Sequence, residues 1–476
     1  MRNKIYPFIA ILFFFCSANA QQKWTLVQCV DYAMKNNITI KQTDLQSKLS
    51  DLTYKQSKLG QYPSLSFTGG PAYNSGRNQD PTTFTLITQS YVSANMQLQS
   101  SAEIFNWYSK RNTIAANQWE LQAAKASTDK LKNDIALTIA NSYLQILLTK
   151  EQEKIAGVQL KQSQSQLGNT RKLVDAGSLP ELNASELEAQ VARDSATVIS
   201  AKGNVAQSIL VLKAYMAIDA AAPFEIDIPP VDLIPVEKIS DLQPESVYTL
   251  ALANMPQQRV NDFKLKAAQK FLAAAKGGMY PTFSVYGSLG TGFNSRAQEI
   301  VGSLPVNAPL GNVTIGATTY NVYPLQPYTI YEYGKTTFFR QLNENFRQSI
   351  GLSLSVPIFN GYSLHTSYEK SKVNLQNLQL QKALDDQTLK QNIYQAYNAA
   401  IVAMEKFNAS KKSVETALRS FSFAQKRYDV GMLTTLELIT NQNDLFRARL
   451  QNALDQFDYV FKMKVLEFYK GQGLKL

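Results

Sequence analysis

Hydrophobic and polar residues alternate along several short segments of this chain, and each such segment leads into a long stretch with a different period. In IGLSLSV, Ile350, Leu352 and Leu354 alternate with small or polar residues, which predicts a β-strand with one apolar face. Pro357 ends this pattern, and no proline follows it. From there, apolar residues recur every three or four positions, as in a packed helical seam. The pattern therefore predicts strands joined directly to unusually long helices.

The same order of elements occurs twice in the chain. The motif YPSLSF at 62–67 resembles YPTFSV at 280–285, which lies 218 residues later. The motif IFNWYS at 104–109 resembles IFNGYS at 358–363, which lies 254 residues later. The larger second offset indicates about 36 extra residues between the two motifs of the second copy. Regular spacing of this kind predicts two copies of one structural unit.

We predict five segments along the chain. They are a signal peptide at 1–20, repeat 1 at 21–220, a proline-rich connector at 221–243, repeat 2 at 244–470 and a C-terminal tail at 471–476. Each repeat has the order helix, two strands, long helix, helix. The simplest interpretation of the insertion, which falls within 291–347, is a long exposed loop.

The predicted elements have matching positions in the two repeats. The long helices, which lack proline, are expected at 105–176 and 359–430, and about seventy helical residues would reach on the order of 100 Å. The shorter helices are expected at 25–60, 181–216, 244–278 and 433–470, and the strands at 62–70, 93–103, 280–290 and 348–357.

The first twenty residues have the composition of a secretory signal peptide. A basic start precedes an apolar run at 8–15, and a small-residue cleavage pattern ends at Ala20. Lipidation at Cys16 is the alternative. We expect cleavage after Ala20, which would leave Cys29 without a disulfide partner in the mature chain.

The net charge and the hydropathy of the chain argue against a nucleic-acid partner and against a transmembrane helix. The net charge is +11, or +9 once Arg2 and Lys4 leave with the signal peptide, and it is spread without a dense basic run. Nucleic acid is therefore not an expected partner. No mature segment reaches about 18 uninterrupted apolar residues, so we predict no transmembrane helix. Any part of this chain that spans a membrane is expected to do so as strands.

The strand patterns fit the wall of a transmembrane barrel with a polar lumen. In residues 94–99, Ala, Met and Leu alternate with Asn and Gln, and charge is nearly absent. A soluble sheet with one buried face would alternate identically, and it is the alternative. In lipid, four strands would leave unpaired edges, and known bacterial barrels begin near about eight strands. A membrane location therefore requires several chains to combine their strands.

Taken together, these features resemble the TolC-like outer-membrane efflux channels over residues 24–470. The most specific pieces are the strand-to-helix junction VPIFNG at 356–361, RYDVGMLTTLELITNQNDL at 427–445 and its weaker copy KLVDAGSLPELNASELEAQ at 172–190. The junction residues are Pro357, Phe359, Asn360 and Gly361. The resemblance implies an α+β membrane protein in which three chains form a 12-stranded outer-membrane β-barrel continued by a periplasmic α-helical coiled-coil barrel.

The resemblance also implies partners. They are two further copies in a homotrimer, a periplasmic adaptor (membrane fusion) protein, an inner-membrane RND or ABC transporter and outer-membrane lipid. The leading hypothesis is an exit duct of a tripartite pump that exports small toxic compounds or drugs. The alternatives are the outer-membrane component of type I protein secretion and a soluble periplasmic coiled-coil scaffold.

The same resemblance assigns roles around two glycine turns. Gly177 and Gly431 are turn residues in the region expected to contact the adaptor. The candidate residues of the periplasmic mouth are Glu437, Thr440, Asn183 and Glu186, and Tyr428 is the candidate latch of the closed tip. A structural alternative exists for Glu437, which fits a capping box with Thr434, as Glu181 does with Ser178. Tyr428 equally fits simple packing.

Catalysis, cofactors and metals are not predicted. His365 has no histidine, cysteine or carboxylate cluster at ligand spacing. GSLGTG at 287–292 follows a strand but opens no helix, which a dinucleotide site would require. The sequence therefore favours a transport protein over an enzyme.

Overall fold

The structure is a computed structural model that describes residues 23–80, 84–228 and 234–471. The predicted signal peptide, part of the connector and most of the predicted tail lie outside these ranges. The helices in the described part of the chain are α1 (Leu26–Asn36), α2 (Ile38–Leu59), α3 (Ser109–Asp175), α4 (Glu181–Met216), α5 (Pro244–Asn254), α6 (Pro256–Gly277), α7 (Phe338–Glu344), α8 (Ser363–Asp429) and α9 (Thr435–Tyr469). The strands there are β1 (Ser64–Gln79), β2 (Leu86–Phe105), β3 (Thr282–Asn294), β4 (Gln298–Val306), β5 (Gly311–Ile315), β6 (Thr318–Val322), β7 (Tyr328–Lys335) and β8 (Arg347–Ser355).

The chain divides into two compact units, and each unit combines segments from both repeats. The first unit contains the residues up to 51, residues 119–266 and residues from 376 onward. The second contains 52–118 and 267–375, and with them all the strands named above. The sequence repeats are therefore not separate folding units.

Two helices that were predicted as continuous are each broken once. The expected helix 25–60 is interrupted at Asn37, whose ψ of 128° is not helical and whose side-chain Oδ1 accepts the backbone N–H groups of Thr39 and Ile40. The expected helix 244–278 is interrupted at Met255, because a residue before proline disfavours the helical conformation. The breaks are 218 residues apart, so both repeats turn at the same position.

The core of the first unit gathers apolar residues of α1, α3, α4 and α9 around Tyr143. The described connector residues pack onto this core. Trp24 pairs with Ile226 in a parallel bridge and stacks on Phe224 with ring centroids 5.6 Å apart. The hydroxyl of Tyr143 donates to the backbone oxygen of Asp227 at 2.5 Å. The connector thus closes one side of the helical unit.

Four strands of the second unit form one antiparallel sheet in the order β1-β2-β3-β8. Their register places apolar residues on one face, where Leu98 lies opposite both Phe67 and Leu289, and Val285 lies opposite Leu352. This face is exposed in the isolated chain. Because successive side chains point to opposite faces, the four strands keep their apolar sets together.

The other face of this sheet is polar and almost uncharged. Gln99 lies opposite Ser66 and Ser288 in the register. The hydroxyls of Ser288 and Ser349 are 2.8 Å apart and hydrogen-bond across β3 and β8. The prediction of a four-stranded sheet with one apolar and one polar face is confirmed, and four further strands among the described residues lie in the insertion.

The insertion is not the long loop that was expected. Strand β4 pairs with β7, and β5 pairs with β6, so that the β5–β6 hairpin lies within the chain segment that joins β4 to β7. Helix α7 then leads into β8. The sequence pattern missed these strands because most of their residues are exposed on both faces, and such strands need no alternation of apolar and polar residues.

Each strand-to-helix junction contains two consecutive residues in the left-handed backbone conformation, at matching positions of the two repeats. Gly361 and Tyr362 have φ values of 61° and 64°, and Trp107 and Tyr108, 254 residues earlier, have φ values of 50° and 61°. A left-handed conformation costs a non-glycine residue about 1–2 kcal/mol, which local packing must offset. The ring of Trp107 contributes by packing against that of Tyr280, with centroids 5.1 Å apart.

The remaining predicted junction residues lie between β8 and α8. Pro357 lies two residues after Ser355, the last residue of β8. Phe359 is exposed, and the backbone oxygen of Asn360 accepts the N–H of Ser363 at 3.3 Å, which starts the turn into α8.

Gly277 is required at the first junction because a side chain there would meet the backbone. A Cβ on Gly277 would lie 2.9 Å from the oxygen of Trp107, whereas one on Gly278 would lie 3.5 Å from its nearest neighbour. We expect Gly277→Ala to lower the free energy of unfolding by about 1–3 kcal/mol. Urea unfolding followed by tryptophan fluorescence measures this, with Gly278→Ala as the matched control. Equal midpoints for the two variants would contradict the close approach.

Candidate functional site

The two long helices end in turns of identical geometry, tip 1 around Gly177 and tip 2 around Gly431. The φ values of these glycines are 75° and 77°, and a left-handed residue at this position ends a helix. The N–H of Ser178 donates to Leu173 and the N–H of Met432 donates to Arg427, both at 2.8 Å, which satisfies the last carbonyls of α3 and α8. The short glycine turns hold the helices of each pair close together.

Glu437 lies in the first turn of α9 and forms a reciprocal capping box with Thr434. The N–H of Thr434 donates to Oε2 of Glu437 at 2.9 Å, and the N–H of Glu437 donates to the Thr434 hydroxyl at 3.2 Å. The backbone N–H and the hydroxyl of Thr434 both donate to Oε2 of Glu437, and these bonds, and then the charge of Arg427, lower the pKa of Glu437 below its usual value. The carboxylate is exposed, so it is at once a helix cap and a fixed negative charge at tip 2.

Thr440 lies one turn after Glu437 on the exposed side of α9. Its hydroxyl donates to the backbone oxygen of Leu436 at 2.9 Å. Leu438 and Ile439 are buried on the opposite side. The structure therefore places both predicted mouth residues of repeat 2 on one accessible strip.

The first repeat begins its helix α4 differently, and the capping box expected for Glu181 is absent. Pro180 is the N-cap residue and makes no side-chain cap bond. Glu181 instead accepts a hydrogen bond from Nη1 of Arg171 at 2.6 Å. Asn183 and Glu186, the other two predicted mouth residues, are half-buried on α4. The two tips thus share a turn but differ in their charges.

Tyr428 joins tip 2 to the rest of the helical unit. Its hydroxyl lies 3.0 Å from the Thr170 hydroxyl on α3 and 3.3 Å from the Thr435 hydroxyl on α9. Both threonines are buried. A single phenol group therefore connects the last turn of α8 to helices from both repeats. One turn earlier, Gln425 donates to Gln166 of α3 at 3.3 Å.

A buried polar network lies farther from the tips, and the sequence reasoning missed it. Asp194 of α4 accepts the Ser163 hydroxyl of α3 at 2.5 Å and the Gln190 side chain at 2.8 Å. Gln442 of α9 donates to the Ser163 hydroxyl at 2.8 Å. All four residues are buried. The sequence did contain one indication of this network. Gln190 and Asp194 follow Leu187 at intervals of three and four residues, which places all three on the same face of α4.

The described residues hold no cluster of three or more histidine, cysteine or acidic side chains that is arranged to bind a metal ion. His365, the lone histidine, packs its ring on Tyr362 with centroids 5.1 Å apart.

Among the described helices, none is both long enough and apolar enough to cross a lipid bilayer.

Comparison with known proteins identifies the class to which these features belong. Residues 29–217 and 247–460 match the sequence profile of the family described as "Outer membrane efflux protein". The chain belongs to the outer membrane efflux protein family. The two matched ranges fall within the two repeats, and the unmatched residues between them include the connector. The predicted resemblance to TolC-like channels is therefore confirmed, and so is the outer-membrane location.

Two characterised relatives within this family are similar over most of their length. Outer membrane efflux protein BepC of Brucella suis is 20% identical over 441 residues, which cover 92% of this chain and 83% of BepC. The toluene efflux pump outer membrane protein TtgC of Pseudomonas putida is 21% identical over 448 residues, which cover 91% of this chain and 81% of TtgC. Both relatives are outer-membrane efflux proteins, as this chain is.

The fold is shared with solved channel structures. The crystal structure of CusC, described in connection with transmembrane channel formation, superposes with a TM-score of 0.75 at 15% identity and covers 94% of this chain and 92% of that one. The expected TolC-like fold is confirmed, whereas the roles predicted for individual tip residues stay predictions.

Asp194 offers a test of the buried network. In Asp194→Asn an amide N–H₂ replaces one carboxylate oxygen, so either Ser163 or Gln190 faces a donor instead of an acceptor. We expect the free energy of unfolding to fall by about 1–3 kcal/mol. Urea unfolding followed by circular dichroism measures this. The control is Asp444→Asn, which changes an exposed carboxylate of α9, and equal stability of the two variants would show that the network is not stabilising.

Proposed function

We propose that three copies of this chain form the outer-membrane exit duct of a tripartite efflux pump. The observation that carries the proposal is the four-stranded sheet, which has an apolar face, a polar face and two edge strands, β1 and β8. Antiparallel order makes β1 and β8 run in opposite directions, so β8 of one copy suits β1 of the next. Three copies give twelve strands, above the minimum of about eight for known bacterial barrels.

The two faces of the sheet supply the two environments that such a barrel needs. The apolar face with Phe67, Leu289 and Leu352 faces lipid in this proposal, and the face with Gln99 and Ser288 faces the lumen. A wall of hydroxyl and amide groups stays wet and binds no charged or apolar cargo strongly. Such a wall suits passive passage of varied small compounds.

The tips are the proposed docking region for a periplasmic adaptor. Around tip 2, Val430 and Met432 are exposed by 67% and 70% and Leu436 is also exposed, and Leu182 is exposed at the start of α4, next to tip 1. Apolar side chains exposed at the end of a helical pair favour a protein partner. In this proposal the adaptor binds around Gly177 and Gly431, and an inner-membrane RND or ABC transporter supplies the energy.

The cargo proposed for this chain is small toxic compounds or drugs. Support comes from the relatives, since TtgC is named for toluene efflux and ArpC of Pseudomonas putida, 21% identical, for antibiotic efflux. Polypeptide export by type I secretion, the earlier alternative, has no such support. The soluble scaffold is set aside because the family belongs to the outer membrane.

Glu437 is the proposed charge of the periplasmic mouth, and Tyr428 the proposed latch. Three copies of Glu437 would form a carboxylate ring, which attracts cations and repels anions. Thr440 adds no charge, so the filter depends on one acidic level from repeat 2, with Asn183 and Glu186 as the matching positions of repeat 1. Release of the Tyr428 hydroxyl from Thr170 would free tip 2 from α3.

The purified protein is expected to be a trimer that forms cation-preferring pores in planar bilayers. Glu437→Gln should lower the cation-to-anion permeability ratio several-fold, because glutamine preserves the capping box but removes the charge. Thr434→Ala is the matched control, since it breaks the cap and keeps the charge. A monomeric protein without pores would refute the duct, and an unchanged ratio in Glu437→Gln would remove this residue from the mouth.

The cation preference should persist at acidic pH. Hydrogen bonds from Thr434 hold the pKa of Glu437 below the usual value of 4.5, so this group loses its charge only as the pH falls through that lowered pKa. The cation preference should therefore be present above pH 4.5 and be lost as the pH falls through the lowered pKa. Reversal potentials measured between neutral pH and about pH 3 test this. Loss of preference near pH 6 would assign it to another group.

A further inference from the structure

Helix α7, within the insertion, covers an edge of β3 that no strand covers. The register of β3 with β8 ends at Gly290, which leaves the last residues of β3 without that partner. Gln341 takes the place of β8 there, because the side chain of Gln341 accepts the N–H of Asn294 at 2.8 Å and donates to the backbone oxygen of Asn294 at 3.0 Å. Asn345 donates to the oxygen of Gly292 at 2.8 Å. Helix α7 is thus fixed to the sheet.

The helix lies on the apolar side of the sheet. Thr291 and Phe293 share a face with Leu289, because alternate residues of a strand point the same way. The Thr291 hydroxyl donates to the backbone oxygen of Leu342 at 2.7 Å, and the ring of Phe293 lies 5.1 Å from that of Phe338. Both contacts reach α7 from the face that the proposed function assigns to lipid.

Two further aromatic residues of this region are uncovered in the chain. Phe339 on α7 is 81% exposed, and Phe346, two residues after the end of α7, is 52% exposed. Phe346 directly precedes the first residue of β8, Arg347. The charge of Arg340 is balanced, since it pairs with Glu299 and Glu344. The surface thus combines exposed rings with paired charges.

The aromatic residues at the two ends of β3 are separated by about the thickness of the apolar part of a membrane. Ten residue steps separate Phe293 from Phe283, which lies at the helix end of β3 near Tyr280 and Trp107. At about 3.3 Å per residue and a tilt near 40°, ten steps rise roughly 25 Å, which is the height of the apolar band of transmembrane barrels. Aromatic residues lie at both ends of this span, as interfacial belts do.

We propose that α7 is a membrane-interface anchor whose Phe339 and Phe346 rings insert among the acyl chains just beneath the lipid headgroups. The occupant is lipid because α7 packs on the apolar face of the sheet through Thr291 and Phe293, and that face is the one assigned to lipid. The inference rests on the proposed function, which makes that face the outer wall. It gives the insertion a role, since Gln341 and the two phenylalanines fix the depth of the barrel at the end opposite to the helices.

The test uses a fluorophore attached at Phe339→Cys in the full mature protein, reconstituted in vesicles of phosphatidylcholine and phosphatidylglycerol. Labelling is selective in the folded chain, because Cys29 is buried and burial raises its pKa to about 12. Phe339 is exposed, so its replacement removes little packing. Quenching is measured with lipids that carry a nitroxide either near the headgroup or at mid-chain, and with iodide in the water.

Two matched positions complete the experiment. Leu352→Cys reports the middle of the apolar face, and Tyr320→Cys reports the β5–β6 hairpin, which the proposal leaves in water. At Phe339→Cys we expect several-fold stronger quenching by the shallow nitroxide than at Tyr320→Cys, and several-fold weaker quenching by iodide. Iodide quenching equal to that at Tyr320→Cys, or no quenching by any agent, would overturn the anchor. Absence of nitroxide quenching at Leu352→Cys would instead refute the lipid-facing sheet and with it the proposed duct.

Discussion

The unpaired edges of a four-stranded sheet are the constraint on which the organisation of this protein depends. Each edge carries backbone N–H and C=O groups that cost several kcal/mol apiece if they meet lipid without partners. The chain places β1 and β8 at these edges and runs them in opposite directions, so an identical copy can satisfy both. Oligomerisation in the proposed duct follows from backbone chemistry and needs no special side chain.

The helical unit holds its tips together by hydrogen bonds as well as by apolar packing. Many buried positions of the helical unit are apolar, but several, both at tip 2 and farther from the tips, carry hydroxyl, amide or carboxylate groups. Tyr428, Thr170 and the network around Asp194 join α8, α3, α4 and α9 by hydrogen bonds. Such bonds contribute about 1 kcal/mol each and depend on direction, so a small shift of one helix breaks several of them together.

The insertion extends the second repeat without disturbing the pairing of the four-stranded sheet. It leaves β3 after Asn294 and returns at Arg347, so the paired part of the sheet keeps its register. Gln341 supplies the hydrogen bonds of an absent strand, and α7 brings phenylalanines to the apolar side. The first repeat has no such excursion, which accounts for the 36-residue difference between the two offsets.

The sequence by itself determined the features that depend on neighbours in the chain. The alternation of residues around Leu352 predicted the two faces of the strands, and the duplication predicted the order of the elements. Gly177 and Gly431 predicted the turns. Each of these is a local effect of the backbone or of periodicity. Pro256 should also have given a helix break, and it was overlooked. Only the tertiary structure decided the insertion strands, the pairing of Glu181 with Arg171, and the partners of Tyr428 and Asp194. Those outcomes depend on groups distant in sequence, and a local pattern does not encode which distant donor meets which acceptor.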